Sequence, residues 1–162
     1  MDEVISIPKT SERACDGVAK GFLAIEGSAE TAIEAIELCG SELERQGYVT
    51  GAFARDCIER EVSYPTGICT DIPVALPHCK SDAIITSALC YLRLDSPVRF
   101  ARMDDEEEFV ETRHIFNLAI APGDHLEFLS KTMQLLADPA VLLSFENKTI
   151  GEVAEYLKTH LS

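Results

Sequence analysis

"HIFNLAIA", residues 114–121, is a near-continuous apolar run. A strand with one face in water alternates between apolar and polar residues, whereas a strand that is covered on both faces has no need to alternate. We therefore expect this run to form an inner strand of a sheet that has helices packed on both of its faces.

Four other segments have the composition of short strands, because they are rich in branched side chains and are bounded by turn residues. They cover residues 21–25, 72–77, 84–92 and 98–103. Together with the run at 114–121, they predict a sheet of about five strands.

Apolar residues at helical spacing predict helices both earlier and later in the chain. The first helix is expected to begin near Ser28, which can act as an N-cap, and the second covers residues 50–61. After the apolar run, Asp124 and Glu127 have the spacing of a capping box. Thr149 opens a similar pattern in front of the last helix.

This order of elements indicates one α/β domain, in which helices cover both faces of a buried sheet. We expect a single domain over residues 21–162, built on a mixed β-sheet of about five strands that is flanked by helices. Residues 1–20 show no periodic pattern and are expected to be a loosely held lead-in.

The charge of the chain limits its partners. The formal net charge is −14 at pH 7, so the phosphates of nucleic acids and of anionic membranes would repel the protein.

The N-terminus has neither the basic nor the apolar region of a signal peptide, and no apolar run is long enough to span a bilayer. The six cysteines form no CxxC pair, which is typical of reduced, buried thiols in a cytoplasmic protein. We expect no binding to nucleic acid and no membrane insertion.

His78 follows the predicted strand at 72–77, directly after Pro77. Because proline has no N–H to donate to a neighbouring strand, we expect the strand to fray here and the ring to lie at a strand end, where functional residues are common. A histidine that is simply packed at the sheet edge fits the local pattern equally well, and the residues alone leave both interpretations open. His114, in contrast, is expected to be a packed or rim residue.

Two further residues have the chemistry to bind an anion. His125 follows the predicted N-cap Asp124, where free N–H groups and the helix dipole attract negative charge and favour a neutral ring. Arg60 lies at the predicted end of a helix, and its planar guanidinium suits phosphate. Both residues also fit structural roles, His125 as a solvent-facing residue and Arg60 as a cation that complements the helix dipole.

Metal binding is a less favoured interpretation of the segment around His78. The side chains of His78, Cys79 and Cys69 are of the types that bind zinc, but the chain lacks the paired CxxC or HxxxH spacing of structural zinc sites. We therefore expect no metal and no other cofactor, and a zinc-binding structural domain is the third hypothesis for the function.

Several segments, taken in order, resemble a known family. "ERE" at 59–61, "YPTGI" at 64–68 and "ALPHC" at 75–79 resemble the signature of the fructose/mannitol-type enzyme IIA (EIIA type 2) of the phosphoenolpyruvate-dependent sugar phosphotransferase system. "FNLAIAPGDHLEFLSKTMQLL" at 116–136 is similar to a strand and the following helix of that family. The resemblance extends over residues 20–161 and is closest to the galactitol-type branch.

This resemblance implies a function and a set of roles. His78 would be the nucleophile that accepts a phosphoryl group from the carrier protein HPr, through Nε2, and passes it to a cysteine of the cognate enzyme IIB. A sugar taken up through the membrane component IIC would receive the group last. Arg60 would steady the phosphoryl oxygens, and His125 matches a second histidine near the phosphorylated one. Such a transfer needs positioning and charge stabilisation, with no nucleotide or metal ion.

A regulatory protein with the same fold is the alternative function. Such a protein would be phosphorylated on His78 but would act by binding a kinase, a channel or a transcription factor. The resemblance also implies that the choice of sugar rests mainly with IIB and IIC. We also expect the surface around His78 to be less acidic than the rest of the molecule, because HPr and IIB must approach it closely.

Overall fold

The computed structural model describes residues 20–124 and 126–162. Six strands and five helices make up this part of the chain. In chain order they are β1 (Gly21–Gly27), α1 (Ala32–Arg45), α2 (Phe53–Ser63), β2 (Gly67–Ile68), β3 (Val74–Ala75), β4 (His78–Cys79), β5 (Ala88–Ala101), β6 (Phe109–Ala119), α3 (Glu127–Leu136), α4 (Pro139–Phe145) and α5 (Ile150–Leu161).

All six strands belong to one mixed sheet with the order β1-β5-β6-β3-β2, and β4 pairs with β6 further along the same edge as β3. β1 runs parallel to β5, and β3 and β4 run parallel to β6. β5 and β6 are antiparallel neighbours in the middle of the sheet. The prediction of an α/β domain with a mixed sheet of about five strands is confirmed.

The two halves of β6 differ in burial. Residues 109–113 alternate between exposed and more buried positions, whereas residues 114–119 are continuously buried. Helices cover both faces of the sheet along the second half, as expected for a strand without alternation. The prediction of an inner strand from the apolar run is therefore confirmed.

A hydrophobic core lies on each face of the sheet. On one face α1 and α2 bury Ile36, Leu43 and Phe53. On the other face α4 and α5 bury Phe145 and Leu157. Because successive strand residues point to opposite faces, β5 and β6 contribute side chains to both cores and hold the two layers of helices together.

The predicted strand at 72–77 is shorter in the structure. Only Val74–Ala75 pairs as a strand there, and the chain pairs again at His78–Cys79. The prolines at 73 and 77 lack the N–H that a ladder needs, so pairing is confined to the residues between and after them. His78 therefore lies in the short strand β4 and not at a frayed end.

The segments predicted as strands at 84–92 and 98–103 belong mostly to one long strand, β5. Its pairing with β6 has an irregularity between Arg93 and Val98. Pro97 lies within this irregularity, where a missing N–H is tolerated. The turn residues that suggested a break thus mark a change of register within one strand.

Three of the four predicted helix starts are wrong and one is confirmed. The N-cap of α1 is Thr31, not Ser28, and α2 begins at Phe53 with Ala52 as its N-cap, later than the predicted start at 50. The N-cap of α3 is Leu126, not Asp124, and its side chain cannot accept a capping hydrogen bond; the Asp124 carboxylate accepts one from the Ser87 hydroxyl instead. The capping box that begins at Thr149 is present at the start of α5. α4 has no counterpart in the sequence prediction.

The structure describes five of the six cysteines and only the last residue of the predicted lead-in at 1–20. Four of the free cysteines are buried, whereas Cys69 is exposed, so the expectation of a buried thiol is wrong at that position. Cys15 lies outside the described residues, as does nearly all of the lead-in at 1–20. Within residues 20–124 and 126–162, no helix has the length and apolar composition needed to cross a membrane.

Candidate functional site

His78 is largely buried, and its ring is held by the backbone of its own segment. The residue is 8% exposed, and Nδ1 lies 2.7 Å from the carbonyl oxygen of Leu76. Since a carbonyl oxygen only accepts hydrogen bonds, Nδ1 carries the proton and Nε2 keeps its lone pair. The contact therefore selects the neutral tautomer in which Nε2 is free to act as an acceptor or a nucleophile.

The last turn of α2 brings Arg60 to His78. Nη2 of Arg60 lies 3.3 Å from Nε2 of His78, although 18 positions separate the two residues. A guanidinium only donates, so Nε2 is the acceptor, in agreement with the tautomer that Leu76 selects. The Arg60 guanidinium also lies 5.1 Å from the ring centroid of Tyr64, the C-cap residue of α2. The structure thus places two of the three predicted site residues in direct contact.

The pKa of His78 is lowered below its ordinary value, chiefly because the ring is buried. The hydrogen bond to Leu76 acts in the opposite direction, since it stabilises the protonated ring, and the charge of Arg60 lowers the pKa further. The ring is therefore neutral at pH 7, and the neutral ring is the nucleophilic form.

Asn117 supports the site from β6, a role that the sequence analysis did not assign. Its side chain is fully buried, and Nδ2 donates to the carbonyl oxygen of Pro77 at 2.9 Å. This contact ties the inner strand to the residue that precedes His78. A single amide within the apolar run that follows His114 is the signal that marks Asn117 in the sequence.

Glu61 also belongs to the site, and sequence reasoning gave it no role beyond its place in "ERE". Its carboxylate accepts hydrogen bonds from the N–H and from the hydroxyl of Thr66, each at 2.9 Å. Burial raises the pKa of Glu61 to about 7, although the hydrogen bonds from Thr66 oppose this shift. The two residues close the loop between α2 and β2.

Two concavities border the His78 ring, with volumes of about 720 Å³ and about 670 Å³. Residues of the end of α2, together with His78 and one residue of α3, line both of them: Arg60, Ser63, Tyr64, His78 and Leu129. The largely buried imidazole is therefore open to solvent-filled space on two sides.

The walls of these concavities are acidic. Among the residues that the structure describes, two cations, Arg60 and Lys80, line them together with five carboxylate side chains: Asp56, Glu59, Asp104, Asp105 and Glu106. The acidic turn after β5 lies here because the N–H of Met103 donates to the carbonyl oxygen of Gly67 at 2.8 Å. The expectation of a less acidic surface around His78 is wrong, because this long-range contact brings the acidic turn with Asp104, Asp105 and Glu106 to the site.

The structure tests the prediction for His114 but not the prediction for His125. His125 lies outside the described residues, so its proximity to His78 stays a prediction. His114 is packed, as expected. Its Nδ1 lies 2.6 Å from the hydroxyl oxygen of Tyr91, and its Nε2 lies 3.4 Å from the carboxylate of Glu146.

The cysteines near His78 do not form a metal site with it. The Sγ of Cys79 lies 3.3 Å from the Sγ of Cys57, within the core, and Cys69 is exposed. In the part of the chain that the structure describes, no three His, Cys, Asp or Glu side chains are grouped so as to hold a metal ion. The geometry gives no support to the zinc hypothesis.

Comparison with protein families decides the class of the molecule. Residues 19–160 match the family model "Phosphoenolpyruvate-dependent sugar phosphotransferase system, EIIA 2". The chain belongs to this family. It is therefore a phosphotransferase component and phosphocarrier of the sugar phosphotransferase system. An EIIA component of this system accepts its phosphoryl group from HPr and passes it to IIB, which works with IIC.

Individual relatives agree with this EIIA assignment. The galactitol-specific EIIA component of Escherichia coli K12 is 25% identical over 129 residues, which cover 79% of this chain and 86% of the relative. The nitrogen regulatory protein IIA-Ntr from Neisseria meningitidis has the same fold, with a TM-score of 0.67 at 24% identity over 86% of this chain and 92% of that protein. Enzyme IIAMtl, in its complex with phosphorylated IIBMtl from Escherichia coli, has a TM-score of 0.59 at 22% identity over 78% of this chain and 81% of that one.

Proposed function

We propose that this EIIA component carries the phosphoryl group on Nε2 of His78, which accepts it from phospho-HPr and passes it to a cysteine of enzyme IIB. The observation that supports this most directly is the pair of contacts on the ring. Nδ1 donates to Leu76, so the lone pair of Nε2 faces Arg60. A neutral imidazole in this state can attack phosphorus without first losing a proton.

Each transfer exchanges one bond to phosphorus for another. In the first transfer, the Nε2 lone pair forms an N–P bond while the bond between phosphorus and the HPr histidine breaks, and that electron pair stays on the HPr ring. In the second transfer, a thiolate of IIB forms an S–P bond while the bond to Nε2 breaks and its electron pair returns to Nε2. Nδ1 keeps its proton throughout. Its hydrogen bond to Leu76 stabilises the positive charge of the phosphorylated ring.

Arg60 is proposed to bind the oxygens of the phosphoryl group during transfer. In a loose transition state the negative charge lies on these oxygens, so a fixed cation lowers the barrier. The guanidinium already lies 3.3 Å from Nε2 and contacts the ring of Tyr64. His125 is proposed as a second donor to the same oxygens. The residue that follows it, Leu126, lines one of the concavities beside His78.

HPr and IIB are proposed to dock in turn on the rim of the two concavities, since each must reach Nε2. Large apolar side chains are exposed on this rim, with Tyr64 64% exposed, Leu126 56% and Met103 45%. Apolar residues beside carboxylates fit a partner that presents an apolar patch with basic residues around it. We expect each contact to be small and transient, because the carrier must release one partner before it meets the next.

Galactitol or a related polyol is proposed as the final acceptor, and the cytoplasm as the compartment in which HPr and IIB are met. The support for the sugar is the galactitol-specific EIIA component of Escherichia coli, whose match covers 79% of this chain. Sugar choice itself belongs to IIB and IIC, so the test of this part of the proposal must include both of them.

Intact-mass measurement tests the role of His78. The protein is mixed with phosphoenolpyruvate, enzyme I and HPr, and the wild type is expected to gain one acid-labile phosphate. His78→Ala is expected to gain none while its circular dichroism spectrum is unchanged. His160→Ala, at an exposed histidine, is the control and is expected to accept phosphate normally. Phosphate on His78→Ala, or none on the wild type, would overturn the proposal.

Adding a galactitol-type IIB and IIC to the phosphorylated protein separates transport from regulation. Transfer of the phosphate to IIB and then to galactitol is the result expected for transport. If the phosphate stays on the protein in the presence of IIB, the regulatory alternative is favoured instead.

A further inference from the structure

The imidazole of His78 lies at the end of a chain of hydrogen bonds that begins at Glu61. We infer that Glu61 and Thr66 are positioning residues for His78, which act through the carbonyl of Leu76 to keep the proton on Nδ1 and the lone pair on Nε2. The kinetic consequence of this inference rests on the proposed role of His78, whereas the tautomer of the ring does not.

The first link joins Glu61 to Thr66. Thr66 is almost fully buried and donates both its N–H and its hydroxyl to the Glu61 carboxylate, each at 2.9 Å. Hydrogen bonds to a carboxylate are stronger than those between neutral groups, and a buried setting strengthens them further. The backbone of Thr66 is therefore held against the C-terminal end of α2.

The second link joins Thr66 to Leu76. The N–H of Leu76 donates to the carbonyl oxygen of Thr66 at 3.3 Å, and Gly67 pairs with Ala75 beside this bond. Leu76 is fully buried, and its backbone freedom is limited on the other side by Pro77. Thr66 and Pro77 together set the direction of the Leu76 carbonyl.

The third link joins Leu76 to the ring. The carbonyl oxygen of Leu76 accepts the Nδ1 proton of His78 at a donor–acceptor distance of 2.7 Å. An unconstrained imidazole in water favours the opposite tautomer, with its proton on Nε2. That tautomer would present a proton, and no lone pair, to phosphorus and to Arg60. A correctly directed carbonyl therefore makes the ring reactive.

One helix end thus acts on both ring nitrogens. Arg60 contacts Nε2 directly, and Glu61, the next residue of α2, acts on Nδ1 through Thr66 and Leu76. Burying a carboxylate costs free energy, and the raised pKa of Glu61 reflects that cost. A role in holding the nucleophile explains why a carboxylate occupies this partly buried position.

The test compares Thr66→Val, which removes the hydroxyl and keeps the N–H, with Thr66→Ser, which keeps both donors. ¹⁵N NMR of the His78 ring identifies the protonated nitrogen. The wild type and Thr66→Ser are expected to be protonated on Nδ1, whereas Thr66→Val and Glu61→Gln are expected to show a mixture of tautomers. In single-turnover phosphorylation by phospho-HPr, Thr66→Val is expected to be about tenfold slower at saturation. Its half-saturating concentration should stay within about twofold of the wild-type value.

Thr112→Val is the matched control. Thr112 is also a buried threonine, and its hydroxyl donates to the carbonyl oxygen of Pro73 at 2.6 Å, in the segment that leads to His78 but outside the chain of hydrogen bonds. This variant is expected to lose thermal stability to an extent similar to Thr66→Val, and to keep the wild-type tautomer and transfer rate.

Two results would overturn the inference. One is a wild-type tautomer in folded Thr66→Val and Glu61→Gln, and the other is an equal tautomer change in Thr112→Val. If Thr66→Val does not fold, Glu61→Gln and Thr66→Ser still decide the matter through the ring spectrum. Failure of the wild type to accept phosphate would refute the proposed function alone, because the tautomer is measured without phosphate.

Discussion

The pH dependence of stability should reveal two groups whose pKa values shift in opposite directions, the buried His114 and the partly buried Glu61. Burial lowers the pKa of His114 to about 4 from an ordinary value of 6.5. Between these values the unfolded chain binds more protons than the folded protein, so stability is lost as the pH falls through this window. The interval of about 2.5 pH units corresponds to about 3 kcal/mol in the free energy of unfolding.

Glu61 has the opposite effect. Burial raises its pKa to about 7 from an ordinary value of 4.5. Between these values the folded protein binds more protons than the unfolded chain, so stability is lost as the pH rises through this window, again by about 3 kcal/mol. The two contributions nearly cancel between pH 4.5 and 6.5, so the free energy of unfolding of the wild type should rise only slightly with pH there, through the lowered pKa of His78.

Each single variant should expose the contribution of the other group. In Glu61→Gln, stability is expected to rise with pH by up to about 1.4 kcal/mol per pH unit, and the lowered pKa of His78 adds to this rise. In His114→Gln, stability is expected to fall with pH at a smaller slope, because the lowered pKa of His78 partly offsets the contribution of Glu61. Urea unfolding followed by circular dichroism, at intervals between pH 4.5 and 6.5, measures these slopes. Parallel profiles for the wild type and both variants would refute the reasoning.

Three further substitutions have defined outcomes. Arg60→Ala is expected to slow phosphoryl transfer at saturating phospho-HPr by about 100-fold, because a cation beside the transferred group is lost. Rapid-quench kinetics measure the rate. If only the half-saturating concentration of phospho-HPr changed, Arg60 would act in docking and not in transfer. Gly67→Ala is expected to lower the midpoint of thermal unfolding, since the new Cβ would lie 2.7 Å from the carbonyl oxygen of Ala101. An unchanged midpoint would contradict this. Thr149→Ala removes the capping box of α5 and is expected to lower the free energy of unfolding by about 1 kcal/mol in urea. Thr159→Ala, at an exposed position of the same helix, is the control and should not lower it.

Local patterns predicted the elements whose stabilising contacts are themselves local. The apolar run at 114–121 predicted the covered half of β6, and the spacing from Thr149 predicted the start of α5. The capping-box prediction failed at Asp124, because α3 begins only at Glu127, with Leu126 as its N-cap, and the Asp124 carboxylate accepts a hydrogen bond from the distant Ser87 hydroxyl. Spacing along the chain carries no information about such a distant partner.

The sequence by itself determined the class of the domain and the residue types available for chemistry, with His78 after a proline and Arg60 at a helix end. Only the tertiary structure decided that Nη2 of Arg60 lies 3.3 Å from Nε2 and that the Leu76 carbonyl selects the tautomer. It also decided that Glu61 is partly buried behind the site and that an acidic turn forms one wall. The physical reason is that periodicity and caps depend on near neighbours in the sequence. These contacts depend instead on strand order and register, which bring together segments that are far apart along the chain.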